Sequence, residues 1–169
     1  MTGRPPLVVD VVVEADAWGD ALAPLARTAV AAALSGAGVA PAGREVAVLG
    51  CDDARIAALN ADFRGEARPT NVLSWPSEDR APPHPGGRPR PLGDGAVELG
   101  DIAIAHETCE REAEAQGKRF DAHVTHLLVH ATLHLLGFDH ETEADAARME
   151  RLEAEILSDL GLPDPYLGP

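Results

Sequence analysis

The chain has 169 residues, a length typical of one domain, and 45% of them are apolar, which is enough to build a buried core. Its two cysteines, Cys51 and Cys109, lack a framework spacing, which argues against a disulfide scaffold and indicates a reducing compartment. The longest run of small apolar residues is too short to span a bilayer, and the N-terminus lacks a signal-peptide pattern. We therefore expect a single cytoplasmic domain over residues 1–169, without membrane contact.

The formal net charge of −14 argues against broad nucleic-acid binding, because Lys and Arg are the residues that bind phosphate. The charge is uneven along the chain. Residues 139–169 contain nine acidic residues and two arginines, whereas residues 64–90 contain five arginines and three acidic residues. We interpret the acidity as mostly a solvated helix face, whereas the middle of the chain is locally basic. The net charge is therefore weak evidence against an RNA substrate.

Four short segments rich in apolar residues predict β-strands, in chain order at residues 7–13, 45–49, 71–75 and 98–105. Apolar residues at intervals of three and four predict helices at residues 18–34, from 52 or 53 to 63, at 107–116, at 123–136 and at 142–160. Residues 77–95 are dense in Pro and Gly and predict a long loop. Four strands and about five helices indicate an α+β domain, in which helices cover one small mixed four-stranded sheet.

The segment HLLVHATLHLLGFDH, which starts at His126, contains the most informative pattern of the chain. On a helix, His126, His130 and His134 fall on one stripe, and at about 1.5 Å of rise per residue its neighbouring members lie about 6 Å apart. The other positions are apolar nearly all round, which predicts a helix buried in the centre of the domain. Gly137 predicts the helix end and a turn that brings His140 towards the other histidines.

Three neutral imidazoles, from His130, His134 and His140, with no fourth protein ligand predict an open metal site that a water molecule completes. Zinc is favoured, although three histidines also accept nickel or other divalent ions. We interpret His123, and for the most part His126, as hydrogen-bonded core residues instead. A zinc ion on three imidazoles lowers the pKa of its bound water towards about 7, which supplies a hydrolytic nucleophile at neutral pH.

The site alone does not choose between phosphodiester and amide substrates. HExxH peptidases place a Glu directly after their first histidine ligand, and this chain has Ala131 there. Deaminases require Cys ligands and an HxE signature, which are also missing. These differences argue against both classes.

The spacing of His130, His134 and His140 resembles HGxLHLxGYDH, the signature of the YbeY endoribonucleases, which are bacterial ribosomal-RNA maturation factors. Further motifs occur in the family's order, namely Leu59-Asn60, Phe63-Arg64, the segment PTNVLSWP at 69–76 and the segment LGDI at 99–102. Two departures are Ala131 for Gly and Phe138 for Tyr, and neither removes a metal ligand.

The resemblance implies a single-strand-specific, zinc-dependent endoribonuclease that acts in the maturation of the 3′ end of small-subunit ribosomal RNA and in ribosome quality control. It implies one zinc ion per chain, held by His130, His134 and His140 together with water. The implied partners are single-stranded RNA, ribosomal RNA, the small ribosomal subunit and ribosomal proteins. Whether water or the RNA's own 2′-hydroxyl attacks is left open.

Arg64 occupies the position of the family's arginine. We expect its guanidinium to hold a phosphate bidentately and to stabilise the charge that builds in the transition state. Asp139 is expected to orient His140 or the metal-bound water. Further candidates around the metal or substrate are His126, Asn71 and Ser74. Ordinary turn, core and sheet hydrogen bonding explains these three at least as well.

The loop at residues 77–95 is longer than this connection generally is in the family, so we interpret it as an insertion. We expect a passive, solvated loop; the alternative is that Arg80, Arg88 and Arg90 contact RNA backbone near the cleft. Two other functions stay open. One is a ribosome-associated assembly factor whose metal is mainly structural, and the other is a metal hydrolase of another small ester or amide.

Overall fold

The computed structural model describes residues 4–93 and 95–167 of the chain. The strands are β1 (Val8–Val13), β2 (Glu45–Cys51), β3 (Val72–Pro76) and β4 (Glu98–Ala105). The helices are α1 (Leu22–Gly36), α2 (Asp53–Arg64), α3 (His106–Gln116), α4 (Phe120–Leu135) and α5 (Glu143–Asp159), with a short 3₁₀ turn at Asp16–Trp18. The predicted α+β fold is confirmed. Within the described residues, no helix is long and apolar enough to cross a bilayer.

The strands form one mixed sheet in the order β1-β2-β4-β3. Strands β1, β2 and β4 run parallel, and β3 pairs antiparallel with β4 at one edge. Successive side chains of β4 point to opposite faces of the sheet, as the two-residue period of a strand requires. Ile102 and Ile104 belong to the larger core with α1, α4 and α5, whereas Ala103 and Ala105 belong to a smaller core that includes Ile56 of α2.

Helix α4 lies in the larger core, as its apolar sequence predicts. Two threonines on it are also buried. Thr125 donates its hydroxyl hydrogen to the Asp121 carbonyl and Thr132 donates to the Leu128 carbonyl, each at 2.7 Å. Because each hydroxyl is satisfied within its own helix, α4 is buried without unpaired hydroxyl groups on these side chains.

Gly137 follows the end of α4 with a φ of 107°, a conformation that favours glycine. A Cβ at this position would collide with the backbone oxygen of Arg80. The Arg80 guanidinium donates to the carbonyl oxygens of Leu99 (3.2 Å) and Leu135 (2.9 Å), and the side chain is 5% exposed. Arg80 therefore fixes the start of the 77–95 loop to α4, and the alternative in which it contacts RNA is wrong.

The loop at residues 77–95 contains neither helix nor strand among its described residues, as predicted. It is nevertheless attached to the domain well beyond its first residues. The N–H of Gly86 donates to Asp145 Oδ1 (2.6 Å), and the Gly86 carbonyl accepts from Arg148 Nε (3.0 Å). These bonds hold the middle of the loop against helix α5.

The helix predicted at residues 18–34 begins later than its apolar pattern suggests. Gly19, with a φ of 55°, separates the 3₁₀ turn from α1. The indole Nε1 of Trp18 donates to the Cys51 carbonyl at 3.0 Å, so Trp18 is buried before α1 begins. Pro24 is the third residue of α1, where a missing N–H costs little because the first N–H groups of a helix have no partner within it.

Candidate active site

One cavity of about 320 Å³, here called the histidine cavity, brings together most of the predicted site residues. Its volume lies at the lower end of the range for ligand-binding cavities, roughly 300–1,000 Å³. Its lining comes from helix α4, from β3 and the residues just before it, and from the end of α2. The predicted residues that line it are Arg64, Asn71, Ser74, His126, His130, His134 and His140.

The predicted metal ligands come from α4 and from the turn that follows it. The ring centroids of His130 and His140 are 5.4 Å apart, with an angle of 28° between the ring planes. Two imidazoles bonded to one zinc ion at about 2.1 Å in tetrahedral geometry place their centroids roughly 5 Å apart. The separation of these two rings is therefore close to what a shared metal ion requires.

The hydrogen bonds of His130 and His134 leave the same nitrogen available on each ring. Nδ1 of His134 donates to the Phe138 carbonyl at 3.0 Å, and Nδ1 of His130 donates to Glu153 Oε2 at 3.1 Å. Each Nε2 then carries the lone pair that binds a metal. Burial lowers the pKa of His134, and the neighbouring His130 lowers it further, so the neutral form that binds metal is favoured.

The described residues contain no group of three His, Cys, Asp or Glu side chains already arranged to hold a metal ion. The structure thus places the three histidines in one cavity and does not align them as a three-ligand centre. The Nε2 lone pairs of His130 and His134 and the separation of the His130 and His140 rings fit a divalent metal. His140 is exposed in the turn after Gly137, so its ring is the one with room to reorient.

Glu153 of α5 is a site residue that the sequence patterns missed. Its side chain is fully buried, and it accepts hydrogen bonds from His126 Nε2 (2.7 Å), His130 Nδ1 (3.1 Å) and the Tyr166 hydroxyl (2.8 Å). Burial alone raises the pKa of this carboxyl, but the bonds from the two histidines and the tyrosine outweigh burial and lower the pKa to about 2. Glu153 is therefore a buried, ionised carboxylate directly behind His130.

The acidic residues of the C-terminal segment are mostly outside the core, as predicted, with two exceptions on helix α5. Asp145 and Glu153 are both buried, and they stand on one stripe with Met149 and Leu157 at intervals of four residues. A buried carboxylate needs hydrogen-bond or ionic partners. Two carboxylates on an otherwise apolar stripe are therefore the signal that indicates a buried polar site beneath this helix.

His126 and His123 are hydrogen-bonded, as expected for core histidines. His123 Nε2 lies 2.9 Å from Glu112 Oε1, and burial lowers the pKa of His123. His126 bonds through Nε2 to Glu153, while its Nδ1 is buried with no hydrogen-bond partner among the described residues. The Tyr166 ring packs edge-on against His126, with centroids 5.6 Å apart.

Arg64 is the last residue of α2 and lines the histidine cavity with an exposed side chain. Asn71 Nδ2 donates to Glu112 Oε1 at 3.0 Å, which favours the ordinary hydrogen-bonding interpretation of this residue. Ser74 lines the cavity from β3. Asp139 Oδ1 accepts the N–H of Glu141 at 3.2 Å. The roles of these four residues towards substrate or metal stay predictions.

The fold and site define an α+β protein with a buried histidine-bearing helix beside a small mixed sheet. The solution structure of TM1509 from Thermotoga maritima has this fold, with a TM-score of 0.56 at 20% identity, covering 95% of this chain and 99% of that one. The sequence profile of the family Endoribonuclease YbeY matches residues 14–161.

Two curated relatives called Endoribonuclease YbeY extend this similarity. The protein from Dinoroseobacter shibae is 58% identical over 166 residues, covering 95% of this chain and 91% of its own. The protein from Paracoccus denitrificans is 56% identical over 162 residues, covering 96% of this chain and 91% of its own. The chain belongs to the YbeY endoribonuclease family, which confirms the resemblance seen in its motifs.

Proposed function

We propose that the protein is a single-strand-specific, zinc-dependent endoribonuclease that matures the 3′ end of small-subunit ribosomal RNA and takes part in ribosome quality control. Endoribonuclease activity follows from family membership. The strand preference, the metal and the ribosomal substrate are the proposal. The observation that carries it is a single cavity that combines the three proposed metal ligands and His126 with the exposed cation Arg64.

His130, His134 and His140 are the residues that would hold the zinc ion, the first two through Nε2. When bound, zinc supplies a Lewis acid and lowers the pKa of water to about 7. Glu153 holds the His130 ring in one tautomer and orientation. Arg64 binds two oxygens of the scissile phosphate and stabilises the negative charge that grows on them in the transition state.

The size of the histidine cavity supports a single-stranded substrate. A volume of about 320 Å³ is small for a duplex, whereas an unpaired strand can enter it one nucleotide at a time. The proposed setting is the cytoplasm, on the small ribosomal subunit and in contact with its proteins. This setting rests on the role of the family in ribosomal-RNA maturation.

The test is to measure metal content and the cleavage of a labelled single-stranded RNA together, for wild type and for His134→Ala. We expect about one zinc ion per chain in the wild type and loss of cleavage in the variant. Zinc without cleavage by carefully decontaminated wild type would favour an assembly factor with a structural metal. Rapid turnover of a small ester or amide with RNA left intact would favour the alternative function, a metal hydrolase of such a substrate. Absence of bound metal would overturn the metal site.

A further inference from the structure

A groove of about 930 Å³, here called the arginine groove, lies between the end of α1, the 77–95 loop and α5. Five of the fourteen Lys and Arg residues of the chain line it, and among its described lining residues Glu155 is the one acid. The five are Arg44, Arg88, Arg90, Arg148 and Arg151. In a chain with a net charge of −14, this concentration of cations creates a local positive field that attracts an anion.

Three of these guanidinium groups are available to a ligand. Arg88, Arg90 and Arg151 are exposed, and their side chains have no ion pair or hydrogen bond with any described residue. Most of the other exposed arginines are already paired, among them Arg68 with Glu66 at 3.0 Å. Five exposed arginines have no ion pair or side-chain hydrogen bond with a described residue, and three of the five line the groove; the other two are Arg27 and Arg64.

The other two arginines build the groove instead. Arg44 is 6% exposed and donates to the Gly93 carbonyl at 3.1 Å. Arg148 Nε donates to the Gly86 carbonyl at 3.0 Å. Both bonds hold the 77–95 loop in place, so the loop forms a fixed wall of the groove.

The arginine groove and the histidine cavity each share a lining residue with a third cavity that lies between them. His134 lines the histidine cavity and also the third cavity, of about 310 Å³, and Phe138 lines both that third cavity and the arginine groove. The third cavity carries three carboxylates, from Glu78, Asp79 and Asp139. These carboxylates repel a polyanion that crosses the third cavity, and the cations that hold it lie on either side, Arg64 at the histidine cavity and the arginines of the groove.

We propose that the arginine groove is a second binding site for the single-stranded RNA that is cleaved at the histidine cavity; this inference rests on the proposed function. The arginines contact phosphates, which gives affinity without sequence preference. A long RNA occupies both sites, and a short RNA occupies the histidine cavity alone, so the groove raises affinity through a linked second contact.

The test compares steady-state cleavage of two single-stranded RNAs, about 5 and about 16 nucleotides long, by wild type and by Arg88→Ala/Arg151→Ala. In the wild type the longer RNA has the lower KM. In the variant we expect the KM of the longer RNA to rise about tenfold while its kcat is unchanged, so that its advantage over the shorter one is lost. The slope of log KM against log salt should fall by about 1.4, because each lost phosphate contact removes about 0.7 on a single strand.

Two matched variants complete the design. Arg27→Ala/Arg119→Ala removes the same charge from exposed positions that line none of the three cavities, and it should keep the advantage of the longer RNA. Arg88→Lys/Arg151→Lys keeps the charge of the groove and should retain most of the salt dependence.

The outcomes separate this inference from the function on which it rests. If the Arg88→Ala/Arg151→Ala variant keeps the wild-type preference for the longer RNA, the groove is not an RNA site and the endoribonuclease stands. If the variant instead loses a bound ribosomal protein at unchanged KM for RNA, the groove binds protein and the inference is overturned. If the wild type cleaves neither RNA, the proposed function is overturned together with the groove.

Discussion

The carboxylate of Glu153 joins helix α5 to helix α4 through bonds to His126 and His130. Because His130 donates from Nδ1, its Nε2 is the nitrogen left for a metal. A carboxylate behind a histidine ligand fixes the ring and increases the basicity of the metal-binding nitrogen. Glu153 is thus a positioning residue for the proposed zinc site.

Glu153→Gln should weaken zinc binding about 10- to 100-fold, because the amide keeps the shape of the side chain and loses its charge. The measurement is the zinc dissociation constant by competition with a chelator. Glu143→Gln, at an exposed position in the first turn of the same helix, should bind zinc as the wild type does. Equal affinity in the Glu153→Gln protein would show that this carboxylate does not support the metal.

The lowered pKa of Glu153 also predicts how the stability of the metal-free protein depends on pH. The carboxyl has a pKa of about 2 in the folded state, against about 4.3 when unfolded. Its contribution to stability is complete above the unfolded pKa and is lost as the pH falls towards the folded pKa. The free energy of unfolding should therefore fall less steeply between about pH 5 and pH 3 in Glu153→Gln than in the wild type, as urea titrations would measure. Parallel curves would contradict the assignment.

Arg64→Ala should lower kcat for RNA cleavage by about 10²–10³, because a donor to the developing charge is lost. The fold and the zinc content should be unchanged, since Arg64 is exposed at a helix end. Arg68→Ala is the matched control, because Arg68 is exposed, is paired with Glu66 and does not line the histidine cavity. Full activity in Arg64→Ala would remove this residue from the transition state.

At the residue scale, motif spacing predicted that the histidines and Arg64 share a site, and the structure places them in one cavity. These residues were accessible to sequence patterns because they stand close together in the chain or match the family's pattern. Glu153 and Tyr166 were missed because their partners lie on a different helix. The acidic composition around Glu153 suggested a solvated surface, and only packing of α5 on α4 shows that this one carboxylate faces inwards. Residue type alone does not distinguish a buried carboxylate from an exposed one.

The end of helix α4 depends on Gly137, where backbone conformation and space both require glycine. Gly137→Ala should destabilise the protein by about 2 kcal/mol or more, since the new methyl group meets the Arg80 backbone. Gly117→Ala is the control: it has a φ of 65° and open space around it, so strain of about 1 kcal/mol is expected. Urea unfolding of both variants measures the difference, and equal losses would show that the collision is relieved by loop movement.

The positions of the helices and strands were largely predictable, whereas some of their ends and the pairing of the strands were not. Strand β4 has the predicted bounds, and Thr142 caps α5, its side chain accepting the Asp145 N–H at 3.1 Å. The start of α1 was misplaced because Trp18 fits the helical spacing yet is held by the Cys51 carbonyl. The antiparallel placement of β3 is set by contacts distant in the chain, which local periodicity does not encode.

At the scale of the whole molecule, the three proposed metal ligands come together only when the chain is folded. Zinc at about 100 times its dissociation constant should therefore stabilise the fold by about 2.7 kcal/mol. For a domain of this size, that corresponds to a rise in Tm of roughly 5–10 °C. Thermal unfolding with zinc and with EDTA measures the rise.

The rise in Tm should largely disappear in His140→Ala and persist in His84→Ala, which changes an exposed histidine of the 77–95 loop. A wild-type rise that survives in His140→Ala would place the metal elsewhere. The two variants lose the same side chain, so the comparison isolates the position of the imidazole.

The hydrogen bonds of Glu153 and Tyr166 also impose an order on biosynthesis. Both residues follow helix α4 in the sequence, and they complete the bonds behind His126 and His130. Chains are made from the N-terminus, and a domain folds as a unit once enough of it has emerged. While residues 153–166 are still inside the exit tunnel, α5 cannot pack on α4 and the histidines lack their carboxylate. The proposed metal site is therefore completed only after residues 153–166 have left the tunnel, later in synthesis than the helix that carries His130 and His134.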